Sequence, residues 1–530
     1  MSTTAVASLQ TPSDQPWVPA VNPWIIAISV MLATFMEVLD TSVANVALPH
    51  IAGNLSASVS QATWVLTSYL VANAIVLPAT GWLSSFFGRK RLLLFCILLF
   101  TGASFLCGAA TSLEMLVFAR ILQGVGGGVL QPIAQAVMLE SFPPAKRGVA
   151  MAVYGMGVIV APIIGPTLGG WITDNYSWRW TFYINLPVGI VAILMVRRFL
   201  EDPPFIKNAP RVKIDYIGFG LLVVWLGALQ ILLDKGQEED WFASSLIVFL
   251  TVTAIIGLVA FVIHELRVEN PIVNLRVLAN RNFATSTALI TVVGMVLYGT
   301  TSLLPLFLQN LMGYPAMQSG MAVSPRGIGA LFSMLLVARL FNLVDIRVMI
   351  AGGFALLGLA GLWLSNINLG ISHTSLLAPI ILSGCALGFL FVPLSTTATG
   401  TLKTEEIGGA TGIYNLMRNL GGGIGISLVS TFLARGAQTH QAQLVANLTP
   451  YDPIYSRTLG MLHQTFASVS DNVTGMQQAY GAMYGILVKQ ASLLAFVDTL
   501  RWIGVLCLVC IPIPFLLKKV KGGKGDLAAH

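Results

Sequence analysis

Residues 24–49 read WIIAISVMLATFMEVLDTSVANVALP, an apolar run long enough to cross a bilayer as a helix, which takes about 20 residues. Near its middle stand two carboxylates, Glu37 and Asp40. An ionisable side chain in hydrocarbon costs at least ~2.5–3.5 kcal/mol, so such residues face a wet cavity or a partner and mark an ion or proton path. Carboxylates are also too short to snorkel far toward the interface. Three residues apart on a helix, the two acids share roughly one face.

The rest of the chain has the same character. Of 530 residues, 55% are hydrophobic and 10% charged, a balance that excludes a soluble domain. Apolar runs near the crossing length lie at about 24–48, 60–83, 91–111, 113–138, 147–173, 181–199, 214–234, 243–264, 283–310, 317–341, 345–365, 374–399, 407–436 and 493–517. The expectation is therefore an all-α integral membrane protein of fourteen spans, with both termini on one side. Most of the 29 Lys and Arg fall in loops on that side, including Arg89, Lys90, Arg91, Lys146, Arg147, Arg197 and Arg198. The opposite loops hold Arg179, Lys235, Arg435, Arg457, Lys489 and Arg501. Short cytoplasmic loops are enriched in basic residues, so the termini are expected in the cytoplasm of a cell whose inner (plasma) membrane holds the chain.

A formal charge of +7 spread over many inner loops is a topology signal rather than a nucleic-acid footprint, and no nucleic-acid partner is expected. The six histidines are scattered, no Gly-x-x-x-x-Gly-Lys-Ser/Thr or His-Glu-x-x-His run occurs, and neither an enzyme nor a nucleotide, metal or other cofactor is expected. Energy would come from the proton gradient, where each charge crossing gains about 2.3 kcal/mol per 100 mV. The five cysteines lie in or beside apolar runs, which argues against a disulfide framework.

The spans group as six, two and six. The reading is a cytoplasmic segment 1–23, a first six-helix bundle 24–200, a connector 201–213, two inserted helices 214–264, a linker 265–282, a second bundle 283–518 and a basic tail 519–530. Transporters built from six-helix halves bind substrate near the midplane between them. One loop of the second bundle, 437–490, is too long for a turn, and is either folded over its own bundle or a docking surface. The fifth span carries Gly157, Pro162, Gly165, Pro166, Gly169 and Gly170. Glycines four apart allow backbone-close helix packing, while prolines bend the helix, which suits a tight seam between moving halves.

The run Gly165-Pro166-Thr167-Leu168-Gly169-Gly170 resembles the antiporter motif of the major facilitator superfamily. Together with Leu39-Asp40-Thr41 through Asn45-Val46-Ala47-Leu48-Pro49, Trp178-Arg179-Trp180 and Asn185-Leu186-Pro187, the chain is similar to the EmrB/QacA-type fourteen-span drug:proton antiporters. The resemblance implies the major facilitator fold and proton-coupled multidrug efflux by alternating access. Export of an endogenous metabolite, lipid or siderophore on the same fold is the alternative. The long outer loop looks like the EmrB branch, which implies a periplasmic EmrA-type adaptor and an outer-membrane channel as partners, besides drugs, protons and membrane lipid.

Arg120, in Arg120-Ile121-Leu122-Gln123-Gly124, matches the superfamily arginine that sits beside the proton-binding acids. A guanidinium stays charged, so within the membrane it needs an acidic partner. It favours that acid's charged form, desolvation favours the neutral form, and their balance sets where the acid titrates. Asp40 is the expected essential proton site, with Glu37 auxiliary and Arg120 coupled to them. The alternative is a static ion pair between the first and fourth spans. Gly81, Gly88, Arg89 and Lys90 match the superfamily's cytoplasmic gating motif, but Ser85 and Phe86 stand where an acid and a base are expected. That removes a charge-paired latch, so closure is expected to rest on other contacts. Phe35, Tyr69, Gln123, Tyr154, Met156, Tyr298, Asn415 and Arg418 are the substrate-cavity candidates, and Arg326 is a further candidate charge of the second half.

Overall fold

The computed structural model describes residues 21–143, 146–203, 215–341, 343–403, 406–446, 448–469 and 471–518, together with Pro19. Most of the N-terminal segment 1–23, most of the connector 201–213, the tail 519–530 and residues 144–145 lie outside the described residues. Fourteen helices there are long and apolar enough to span a membrane: α1 (Pro23–Asn54), α2 (Trp64–Phe87), α3 (Arg89–Ala109), α4 (Leu113–Ser141), α5 (Arg147–Asn175), α6 (Trp180–Phe199), α7 (Tyr216–Lys235), α8 (Ser245–Arg267), α9 (Arg281–Leu311), α10 (Met317–Leu340), α11 (Ile346–Leu364), α12 (Thr374–Thr399), α13 (Ile407–Val445) and α14 (Asn472–Leu516).

Polar residues at the ends of the runs start the helices. Asn22, Ser112, Asp215, Asn280, Asp345, Ser372 and Asp471 each accept a hydrogen bond from a first-turn backbone N–H, satisfying donors that a helix start leaves orphaned. Between α2 and α3 the chain turns at Gly88, whose φ of +80° suits glycine. Asp202 then accepts the Lys90 N–H at 2.8 Å.

In the first half, α1 packs against α4, α5 and α6, α2 against α4, and α3 against α4 and α6. In the second, α9 packs on α13, α10 on α12, and α14 on α11 and α13. The halves meet where α13 contacts α2 and α4 and where α5 contacts α10 and α12. The inserted hairpin of α7 and α8 docks through α7 on α2 and α13.

The seam helix α5 follows from its sequence. Pro166 has no N–H to give to the Pro162 carbonyl four residues back, and the freed oxygen accepts instead from the Ser42 hydroxyl of α1 at 3.3 Å. A Cβ on Gly165 would collide with the Ser42 side chain, and one on Gly169 would lie 3.2 Å from the Val43 Cα. These two glycines therefore set the approach of α5 to α1, beside Asp40. A Cβ on Gly157 would touch Met31 at 3.0 Å, whereas Gly170 meets Val46 only at 4.0 Å. On its other side α5 presents Pro166 and Thr167 to Gly320 of α10.

The stretch 437–490 differs from the loop reading, because most of it is helix. α13 continues to Val445, a separate helix spans Pro453–Ala467, and α14 begins at Asn472. At ~1.5 Å per residue, 39 residues of α13 measure roughly 58 Å against a hydrocarbon core of about 30 Å. A helical arm thus stands clear on the side opposite the termini. In this stretch Asn447-Leu448-Thr449 and Asn472-Val473-Thr474 fit a glycosylation-acceptor pattern, and Asn447 lies outside the described residues.

Candidate transport site

Asp40 and Arg120 meet. The Arg120 Nη1 donates to Asp40 Oδ2 at 2.6 Å, and both side chains have 0% exposure. The other carboxylate oxygen accepts from Gln123 Nε2 at 2.8 Å and from Asn185 Nδ2 at 2.6 Å. Arg120 also donates to Gln123 Oε1 at 2.8 Å and, through Nε, to the Val65 carbonyl at 3.0 Å. Asn185 is held in turn by Ser104, whose hydroxyl donates to the Phe182 carbonyl. Helices α1, α4 and α6 thus build a closed cluster around one carboxylate, with charge-assisted bonds on both oxygens. The pair is sealed from solvent.

Glu37 belongs to a second cluster. Tyr69 and Asn73 of α2 donate to its Oε1 at 3.1 and 3.3 Å, and Gln131 of α4 donates to its Oε2 at 2.5 Å. The Gln131 Oε1 accepts from Arg418 of α13. Tyr69 joins the two clusters, since its hydroxyl reaches Glu37 while its ring lies 4.2 Å under the Arg120 guanidinium, a favourable cation–π geometry.

The remaining candidates separate by position. Asn415 donates to Gln135 of α4 at 2.6 Å, and Tyr154, which donates to the Gln131 carbonyl at 3.3 Å, lies beside Arg418 of α13, so both line the boundary between the halves. Tyr298 packs against Gly422 and faces Arg418. Phe35 instead packs among Leu39, Val43 and Ala161, and Met156 lies against the apolar core. Arg326 is surrounded by the hydroxyls of Thr300, Thr301 and Ser383 and has no carboxylate partner among the described residues.

At the terminus side Ser85 bonds only within its own helix, to Gly81, and Phe86 stacks on Trp82. Two other contacts lie on this side. Gly81 of α2 lies against the Gly409 backbone at the start of α13, and Arg89 forms a buried ion pair with Glu140 of α4. Glu140→Gln is expected to weaken that pair by about 1.5–3 kcal/mol, the scale of a hydrogen bond to a charged group. A thermal-unfolding measurement in detergent checks it, and an unchanged transition would show that the pair adds no stability.

The sequence pattern does not single out Asn73, Gln131, Gln135 or Glu140, and Asn185 stands out only within the Asn185-Leu186-Pro187 signature, without a site role. One signal it does contain is the recurrence of amides in an apolar helix: Gln131 and Gln135 stand four apart on α4 and share a face, with Gln123 two turns earlier and about 80° round the helix.

The model of the Major Facilitator Superfamily matches residues 30–426. The chain is 40% identical over 447 residues to the multidrug export protein EmrB of Escherichia coli (strain K12), covering 83% of this chain and 87% of that one. It is 38% identical over 496 residues to the fatty acid resistance protein FarB of Neisseria gonorrhoeae, covering 93% and 96%. The crystal structure of the human organic anion transporter MFSD10 (TETRAN) aligns with a TM-score of 0.58 at 14% identity, covering 90% of this chain and all of that one, a likeness of fold. With fourteen membrane-length helices and relatives matched over most of its length, the chain belongs to the major facilitator superfamily, among its EmrB/QacA-type members, and is a multi-pass membrane transporter.

Proposed function

We propose that this transporter is a proton-coupled exporter of lipophilic or amphipathic toxic compounds. Asp40 is its essential proton site, Glu37 is auxiliary, and Arg120 stabilises the charged form of Asp40. The observation that carries the reading is the sealed Asp40–Arg120 pair, with a second carboxylate one turn away at the boundary between the halves. A buried carboxylate released from its arginine by opening of the cluster is free to take a proton, and one that re-forms the pair gives it up. Alternation between those states couples proton movement to the exchange of cargo. The names of the relatives support drug-like cargo, and the bias of Lys and Arg supports cytoplasmic termini in the inner membrane.

Addition of a lipophilic cation or an uncoupler to purified protein in weakly buffered solution tests this. Proton release is expected from the wild type, and its absence across a broad compound panel would remove the coupling. Arg120→Ala is expected to lose transport and to move the pH profile of any residual binding. An unchanged profile would favour a static pair.

The helical arm opposite the termini fits a periplasmic adaptor of EmrA type. Ile454 and Met461 stand seven apart on the helix Pro453–Ala467, are 75% and 55% exposed, and lie on nearly one face. Changing both to Asp is expected to reduce copurification with such an adaptor several-fold while leaving transport in liposomes intact. Undiminished copurification would assign the arm another role.

A further inference from the structure

Three side-chain hydrogen bonds join α4 of the first half to α13 of the second. Thr411 donates to the Pro132 carbonyl at 3.3 Å, Asn415 to Gln135 at 2.6 Å, and Arg418 to Gln131. Only the last leads on to an ionisable acid, because the same Gln131 amide donates its Nε2 to Glu37. Arg418 is itself buried and has no direct carboxylate partner among the described residues. The carboxylate of one half and the guanidinium of the other are therefore connected through a single neutral amide.

The geometry points to Gln131 as the positioning residue that transmits the charge state of Glu37 across the boundary to Arg418, so that the halves are tied when Glu37 is ionised and released when it is protonated. The inference rests on the proton-coupled reading above and names the contact through which that coupling would move the halves.

The chemistry is one of donors and acceptors. An amide has one accepting and one donating end. With its oxygen toward Arg418 and its nitrogen toward Glu37, it satisfies a donor-only guanidinium and an acceptor-only carboxylate at once, and the reverse orientation satisfies neither. The Oε1 of Glu37 is already occupied by Tyr69 and Asn73, so the open position for an added proton is Oε2, facing Gln131. An O–H there leaves Oε2 only a neutral, weaker acceptor for the Gln131 N–H, and an O–H turned toward Gln131 sets two donors against each other. Turning the amide to accept it points N–H groups at Arg418, and the opposition reappears across the boundary.

A proton on Oε1 instead obliges Tyr69 to turn its hydroxyl away. The Gln131 bond then falls from charge-assisted to neutral, about half its strength. On either route the tie weakens. The other groups facing this chain are Asp40 and Arg120 beside Glu37 and Tyr69, and Tyr154, Tyr298 and Tyr414 around Arg418. The three tyrosines around Arg418 are neutral over the physiological range.

The test uses the full chain in lipid nanodiscs with spin labels at Ser85 on α2 and Thr401 before α13, both exposed. Distances are measured by double electron–electron resonance between about pH 8.5 and 5.5, a window around the neutral range in which a buried carboxylate of this kind is asked to work. The wild type is expected to shift its distance distribution on acidification. Gln131→Leu, of similar size and without polar atoms, is expected to lose that shift, its distances at pH 8.5 already matching those of the acidified wild type, because neither Glu37 nor Arg418 keeps the amide between them. Gln131→Asn, one methylene too short to span both partners, is expected to behave as Gln131→Leu does, and serves if the leucine variant does not fold. A wild-type shift retained in both variants would overturn the role of Gln131 and leave proton coupling standing. Absence of both the shift and proton release in the wild type would overturn the coupling and this inference together.

Discussion

Asp40→Asn is expected to bring export to background while the chain still inserts in the membrane. The carboxylate oxygens accept from Arg120 on one side and from Gln123 and Asn185 on the other. An asparagine must turn its NH₂ toward one of those donors, so a donor–donor clash arises whichever way it is placed. Arg120, fully buried, then lacks its counter-charge. Leaving one member of a buried pair without the other costs about 3–5 kcal/mol, so the thermal transition should fall as well. The fourteen apolar runs that direct insertion are untouched. Resistance assays in cells, with membrane-fraction immunoblots for insertion, check this result. Export at the wild-type rate would show that the proton site lies elsewhere, with Glu37 the next candidate.

Gly165→Leu is expected to be nearly as damaging by a different route. The position faces Ser42, two residues past Asp40, where even a Cβ meets the serine side chain. A leucine forces α5 away from α1, and overpacking of this kind costs about 1–3 kcal/mol. The displaced backbone also loses the Ser42 bond to the Pro162 carbonyl, reopening the unsatisfied acceptor created by Pro166. Because α5 touches both α1 and α10, the shift spreads to the seam between the halves. Transport should be lost and passive proton leak through reconstituted protein should rise. Gly170→Ala, at a looser contact with Val46, should be close to wild type, and equal damage from both changes would show that packing distance is not the cause.

Charge in an apolar run is visible in one dimension, which is why Glu37, Asp40 and Arg120 stand out in the sequence itself. Their partners are another matter. Asn185 lies 145 residues from Asp40, and an amide in an apolar helix has no charge to draw attention to it. Pairing at that separation depends on how α1, α4 and α6 come together, which one-dimensional periodicity does not encode. The antiporter-motif glycines imply that a helix approaches closely, while the structure supplies which helix and that Gly165 and Gly169, unlike Gly170, are the tight positions. The arm at 437–490 reads as a loop because its composition is polar. Its Ala, Gln, Met and Leu content is also that of a good helix former, and outside the membrane nothing requires it to be apolar. At the gating motif Ser85 and Phe86 are visibly neither acid nor base, whereas Glu140, the partner of Arg89, is hidden at the end of a different helix.

Transport by purified wild-type protein in liposomes, with a pH gradient imposed across the bilayer and a panel of lipophilic compounds, separates the possibilities. At least one compound should be moved against its concentration gradient, with protons flowing the opposite way, and the movement should cease when the gradient is collapsed and in Asp40→Asn. Uphill movement that continues at the same rate without a gradient, or in the asparagine variant, would contradict proton exchange at Asp40.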